Sequence, residues 1–239
     1  VASSPWSYER ILLKLSGEAL MGDDGSAIAP DLINSLGEEV RELSNEGVQI
    51  AMVIGAGNIF RGVDLAKTGI NRVTADQMGM LATVMNALAM KDVLTRLQCQ
   101  ASVMSAYSMP QVCDIYQCDG AKRRLSRGEV VIFAAGTGNP FFTTDTAATL
   151  RGIEVGAQLI LKATKVDGVY SSDPVKHPEA IRYDRLSFDQ VISQDLKVMD
   201  TSAILLCRDH HVPIRVYNMN KQGALRQILT GHNEGTLVE

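Results

Sequence analysis

Six short, nearly unbroken apolar runs limit most tightly what this chain can fold into. They cover residues 11–15, 48–54, 101–106, 130–135, 158–161 and 213–217. A strand with one wet face alternates apolar and polar residues, whereas a strand covered on both faces does not. Parallel sheets are covered on both faces because their crossover helices lie there. The intervening segments supply such helices. Residues 31–45 place Leu32, Leu36, Val40 and Leu43 on one face. Thr74-Ala75-Asp76-Gln77 reads as a capping box with Thr74 as N-cap. The helix it opens runs to about Gln98 on Met78, Leu81, Met85 and Leu88. Ser187-Phe188-Asp189-Gln190 reads as a second capping box, and Asp200 as a further helix cap. The pattern is α/β, with loops at strand ends carrying the special residues, where open α/β sheets bind ligands.

The chain has 239 residues, which suits one α/β domain with a large core. Residues 1–8 read as an N-terminal extension that need not be ordered, and 9–239 as the domain. A net charge of −4 argues against a nucleic-acid binder, and 5% aromatic content argues against a base-stacking platform. Cys99, Cys113, Cys118 and Cys207 lack zinc-site spacing and read as free thiols in a reducing compartment. Residues 1–9 lack the basic segment and apolar run of a signal peptide and are not expected to be one, and no apolar stretch approaches a membrane span.

Lys14 ends the first apolar run, where a cation is costly unless an anion meets it or its stem reaches water. Ser16 and Gly17 follow and permit close backbone approach. Gly55-Ala56-Gly57-Asn58 follows the second run and leads to Arg61. It suits either an anion-binding nest with a two-pronged arginine or a plain tight turn. There is no G-x-x-x-x-G-K-[ST] and no G-x-G-x-x-G after the first run, which excludes a P-loop and disfavours dinucleotide binding.

The stretch 136–145 combines turn glycines with Thr137, Asn139, Thr143, Thr144, Asp145 and the adjacent aromatics Phe141 and Phe142. Its hydroxyl and amide groups suit a base edge or a phosphate. Thr144 or Asp145 caps the helix that follows. Lys162 mirrors Lys14 at the end of the fifth run, and Asp145 is placed to orient both. Two cations converging on one crevice suit phosphoryl transfer, whose spread negative charge needs positioned positive charge. Lys165, Asp167 and Tyr170 are also explained by a hairpin with an Asp-Gly turn.

Several segments together resemble the bacterial UMP kinases of the amino-acid-kinase superfamily. They are 14–20, 57–62, Asn71-Arg72-Val73, 137–145, 162–170 with Asp173-Pro174, and 213–219, and the likeness spans about residues 9–238. The resemblance implies a three-layer αβα sandwich around a mainly parallel sheet, with a UMP-binding part and an ATP-binding part. It implies transfer of the γ-phosphoryl group of ATP to UMP, giving UDP in pyrimidine nucleotide biosynthesis, in the cytoplasm. Lys14 and Lys162 would stabilise the transferred group and Asp145 would orient them. Lys14, Ser16, Gly17, Gly57, Arg61, Thr164, Tyr170 and Asp173 would bind ATP. UMP would be held by Gly55, Ala56, Arg61, Asp76, Thr137, Gly138, Asn139, Pro140, Phe141, Phe142, Thr143 and Thr144. Asp76 would accept from the ribose hydroxyls. Mg²⁺ would be held mainly by the nucleotide phosphates, with no protein metal site.

The resemblance also implies a homohexamer, commonly activated by GTP through basic residues. Here Thr95, Ser102 and Glu129 stand at those places, so weak or absent activation is expected. Ala56 replaces a third glycine, and its Cβ, which disfavours positive φ, is expected to alter UMP affinity. Three other readings compete. A sibling kinase acting on a carboxylate or carbamate is disfavoured by Asp76 and the 137–144 loop. A nucleotide sensor is disfavoured by the joint presence of Lys14, Asp145 and Lys162. A nicotinamide-dependent oxidoreductase lacks its glycine fingerprint.

Overall fold

The computed structural model describes residues 5–22, 24–60, 69–174 and 176–239. The strands in chain order are β1 (Arg10–Leu15), β2 (Gln49–Ile54), β3 (Ala101–Ser105), β4 (Asp114–Ile115), β5 (Val130–Ala134), β6 (Leu159–Thr164), β7 (Val169–Tyr170), β8 (Arg182–Tyr183), β9 (Arg185–Leu186), β10 (Ile214–Asn218) and β11 (Thr236–Val238). Among the described residues, nine of them form one sheet in the order β4-β3-β5-β2-β1-β6-β10-β11-β9. Neighbours are parallel except β10 and β11. The helices are α1 (Pro30–Asn45), α2 (Arg72–Arg96), α3 (Cys118–Leu125), α4 (Thr144–Val155), α5 (Phe188–Ser193), α6 (Thr201–Asp209) and α7 (Ala224–Leu229).

The result is a three-layer αβα sandwich, and the period-two pleat divides each strand between two cores. Ile11, Leu13 and Leu15 pack with residues of α1, α2 and α7. Leu12 packs with residues of α3 to α6 on the other face. All six apolar runs became strands. β6 continues past the expected 158–161 because it is paired on both edges, Lys162 lying between Lys14 of β1 and Val216 of β10. Lys162 therefore sits within a strand rather than after one.

Three helix expectations need correction. α2 starts earlier than expected: Asn71 is its N-cap, its side chain accepting from Thr74 N at 2.9 Å. The buried side of α2 carries Met80, Val84, Ala87, Met90 and Leu94, while Leu81 and Met85 are 48% and 56% exposed. α1 buries Ile33 and leaves Leu32 exposed. The Ser187–Gln190 capping box forms as expected, with bonds of 2.8 and 3.1 Å. Asp167-Gly168 precedes β7 instead of joining β7 to β8, so the Asp-Gly hairpin turn does not form.

Trp6 and Ser7, ahead of β1, are tied to the body. Trp6 is largely buried and donates from Nε1 to Glu46 O at 3.1 Å, and Ser7 N bonds Leu229 O at 2.8 Å. Among the described residues, no helix is long and apolar enough to cross a membrane.

Candidate active site

Lys14 and Lys162 are register partners on adjacent parallel strands. They share the parity of Leu12 and Ile160, so both side chains leave the sheet toward α4. Asp145 lies in the first turn of α4 and stands between them. Its Oδ1 forms an ion pair with Lys14 Nζ, and its Oδ2 lies 3.0 Å from Lys162 Nζ. Lys162 Nζ also donates to Val198 O. The three side chains are 8%, 14% and 18% exposed for Lys14, Asp145 and Lys162, so water screens them little. Burial works to raise the Asp145 pKa, but the two ammonium groups overcome it and hold the carboxyl below its ordinary value. Burial pushes Lys162 below its ordinary value, with Lys14 adding to the effect and Asp145 opposing it. Asp200 also lies near enough to act on Lys162, so the cluster is close to balanced, and what it offers a substrate's negative oxygens is two positioned ammonium groups at the sheet's carboxyl edge.

The start of α4 is fixed from outside. Thr143, not Thr144 or Asp145, is the N-cap: its Oγ1 accepts from Asp145 N at 3.1 Å and Thr146 N at 3.4 Å. Thr143 Oγ1 in turn donates to Asp200, and Thr146 Oγ1 donates to the same carboxylate at 2.9 Å. Asp200 also caps α6, accepting from Ala203 N at 2.8 Å. One carboxylate thus fastens two helix starts beside the lysines. The sequence showed Asp200 only as a cap, since its partners Thr143 and Thr146 lie 57 and 54 residues away.

Gly17 meets the glycine loop at close quarters. A Cβ there would lie 2.4 Å from Asn58 Oδ1, 2.5 Å from Gly57 N and 2.7 Å from Gly55 O. Close approach, rather than unusual φ, requires this glycine. Ser16 stands at the N-cap position of the short 3₁₀ turn Gly17–Leu20, without a side-chain capping bond. Ala56 is not among the residues with positive φ, so the strain expected of its Cβ does not arise. Arg61 lies outside the described residues.

A pocket of about 350 Å³ opens beside this loop, lined among others by Ala56, Gly57, Asp76, Phe142, Thr143 and Thr144. Asp76 accepts from Arg72 Nε at 2.8 Å and from Phe141 N at 2.7 Å. Phe141 is exposed and left-handed, with φ 74°, and Arg72 lies 5.7 Å above its ring. Thr137, Gly138, Asn139 and Pro140 form the preceding turn, in which Thr137 and Asn139 bond each other. Thr164, Tyr170 and Asp173 are further along. Thr164 Oγ1 donates to Val166 O at 2.6 Å, Tyr170 OH donates to Asp167, and Asp173 O accepts from His177 N at 2.8 Å. The structure thus gathers Lys14, Asp145 and Lys162 into one cluster and Ala56, Asp76 and Thr144 into one pocket. Of the residues assigned to the ATP nucleoside, Thr164 ends β6, Tyr170 ends β7 and Asp173 follows beyond it.

Among the described residues, no group of three or more His, Cys, Asp or Glu is placed to hold a metal ion. Both Asp145 oxygens already face lysines.

Sequence reading also missed Thr83 and Asn86, buried on α2. The available signal was two polar residues three apart on the stripe of Met80, Ala87 and Met90.

The sequence model of the amino acid kinase family matches residues 9–218. The uridylate kinase of Vibrio cholerae is 59% identical over 232 residues, covering 97% of this chain and 96% of that one. The uridylate kinase of Saccharophagus degradans is 58% identical, with 97% and 94% covered. A crystal structure of UMP kinase from Bacillus anthracis matches with a TM-score of 0.95 at 38% identity, covering 97% of this chain and 96% of that one.

Proposed function

The chain belongs to the amino acid kinase family, and within it to the uridylate kinases, and from that membership we infer that it transfers the γ-phosphoryl group of ATP to UMP. The observation that carries the reading is the register-matched pair Lys14 and Lys162 closing on Asp145 beside the 350 Å³ pocket. An oxygen of the UMP phosphate attacks the γ-phosphorus in line. The bond from that phosphorus to the β–γ bridging oxygen breaks, and ADP leaves with the electron pair. Lys14 and Lys162 neutralise charge on the transferring oxygens, and Asp145 keeps both ammonium groups aimed. No covalent intermediate with the protein is needed. Gly17, Gly55 and Gly57 bring backbone close to phosphates, while Thr143 and Thr144 face the UMP side. Mg²⁺ accompanies ATP as part of the substrate.

The assay is ADP release with ATP, Mg²⁺ and each nucleoside monophosphate in turn. Turnover confined to UMP supports the reading, and no turnover with any of them overturns it. Asp76 serves the UMP ribose in this account. Asp76→Ala should raise the UMP KM about ten-fold or more with the ATP KM little changed. Unchanged UMP kinetics would remove Asp76 from the site.

Leu81 and Met85, exposed on a second apolar stripe of α2, offer a face for self-association, and its homohexameric form rests on the family resemblance. The four free cysteines suit the cytoplasm, and the net charge of −4 suits no nucleic-acid partner. GTP should activate weakly or not at all. Glu129 faces Arg124 at 3.6 Å, Arg124 is also paired with Asp114 at 2.7 Å, and Ser102 is buried. A several-fold rate increase at sub-millimolar GTP would contradict this.

A further inference from the structure

The sheet-facing side of α2 is apolar except for Thr83 and Asn86, which lie one turn apart and are 3% and 0% exposed. A polar group buried that fully must find partners inside the protein. Both find them in strand-end loops that line the nucleotide pocket. Thr83 Oγ1 donates to Met80 O at 2.6 Å, which leaves its lone pairs for Ala135 N, 2.8 Å away. Asn86 Nδ2 donates to Gly55 O at 2.7 Å and to Asn58 Oδ1 at 2.8 Å. Asn58 Nδ2 returns a bond to Asn86 Oδ1 at 2.9 Å. Ala135 follows β5 and Gly55 follows β2, and these strands are neighbours in the sheet. One helix therefore grips the ends of two adjacent strands at the point where their loops turn toward substrate.

Ala135 gives this grip its sharpest sign. It is fully buried, yet its φ is 59°, in the left-handed region that a Cβ disfavours. Gly136, with φ 57°, continues the turn, and Gly138 N bonds back to Ala135 O at 2.9 Å. From there the chain runs to Phe142, Thr143 and Thr144 at the pocket wall. A left-handed alanine persists only where its surroundings hold it, and the Thr83 hydroxyl is the side chain that meets its N–H.

We propose that Thr83 and Asn86 are positioning residues for the monophosphate site. Thr83 fixes Ala135 in its left-handed conformation, and Asn86 fixes Gly55 and Asn58, so that the two loops face each other across the pocket. The proposal rests on the reading of that pocket as the UMP site. Thr83 also lies at the wall of that pocket, with its hydroxyl committed to Met80 O and Ala135 N, so it acts on the site through Ala135.

Thr83→Val keeps the shape and removes the hydroxyl, whereas Thr83→Ser keeps the hydroxyl. The valine variant should raise the UMP KM about ten-fold, the scale on which a small misplacement of a binding loop acts, with the ATP KM within about two-fold. The serine variant should restore it. The Ala135 amide should exchange its hydrogen faster with solvent in the valine variant and at the wild-type rate in the serine variant. Adding Ala135→Gly to the valine variant should recover part of the UMP KM, because glycine reaches positive φ unaided. A lowered Tm with UMP KM and Ala135 exchange both unchanged would reduce Thr83 to packing and overturn the proposal. If Thr83→Val does not fold, Thr83→Ala carries the same expectation, and a UMP KM within about two-fold of wild type in it is equally fatal. Should the wild type fail to use UMP, the substrate reading falls, while the exchange measurement still decides whether Thr83 holds Ala135.

Discussion

Lys14→Ala should lower kcat for UMP phosphorylation by about 10²–10³, the scale of losing one preorganised charge-stabilising donor. The Lys14 side chain is 8% exposed, so its ammonium acts where solvent competes little. The charge it answers develops in the transition state, so the loss should fall on kcat more than on either KM. Alanine also leaves a void where the lysine stem packed. Lys14→Met is the companion variant, because it refills the void without the charge. Equal kcat losses in the two variants, with a near-normal Tm for methionine, assign the effect to the charge. Lys14→Arg should rescue poorly, since a planar fork replaces a compact ammonium in a buried site fitted to Asp145. Turnover by Lys14→Met within about three-fold of wild type would remove Lys14 from the transfer step.

The strands were legible because burial on both faces leaves a local mark, an unbroken apolar run. Lys14 and Lys162 were legible for the same reason, as cations interrupting such runs. Their alignment was not, because register is decided between β1 and β6 and not within either. α2 misled for a different reason. It is apolar on most of its circumference, so periodicity found a real stripe through Leu81 and Met85 but not the one facing the sheet. The cap of α4 was ambiguous because Thr143, Thr144 and Asp145 are all good cap residues, and only the loop's path selects Thr143. Asn71 displaced Thr74 at the start of α2 in the same way. Thr83 and Asn86 look like weak helix formers in sequence, and their meaning comes from Ala135 and Gly55, residues brought near only by the sheet.

Asp145→Asn should destabilise the fold by about 3–5 kcal/mol, the cost of breaking a buried charge cluster by removing one partner. For a chain of this size that corresponds to a fall in Tm of roughly 6–20 °C. The amide keeps the carboxylate's shape, so packing changes little, and what remains is two ammonium groups facing each other. The pH dependence separates this cause from a general loss of packing. In the wild type, the Asp145 pKa is lowered from 3.8 on folding, so its contribution is complete above that value and is lost as pH falls through the lower folded value. The variant lacks this contribution and should show a shallower loss below about pH 4. Lys162 has the same sign of linkage, at the alkaline end. Its folded pKa already lies below 10.5, and without Asp145 it falls further. Between the folded and unfolded values the unfolded chain binds more protons, so stability rises with pH there. Asp145→Asn should therefore regain Tm relative to wild type as the solution is made alkaline. A variant whose Tm stays within about 2 °C of wild type at neutral pH, or whose deficit is the same at every pH, would mean that the carboxylate does not hold the two lysines together.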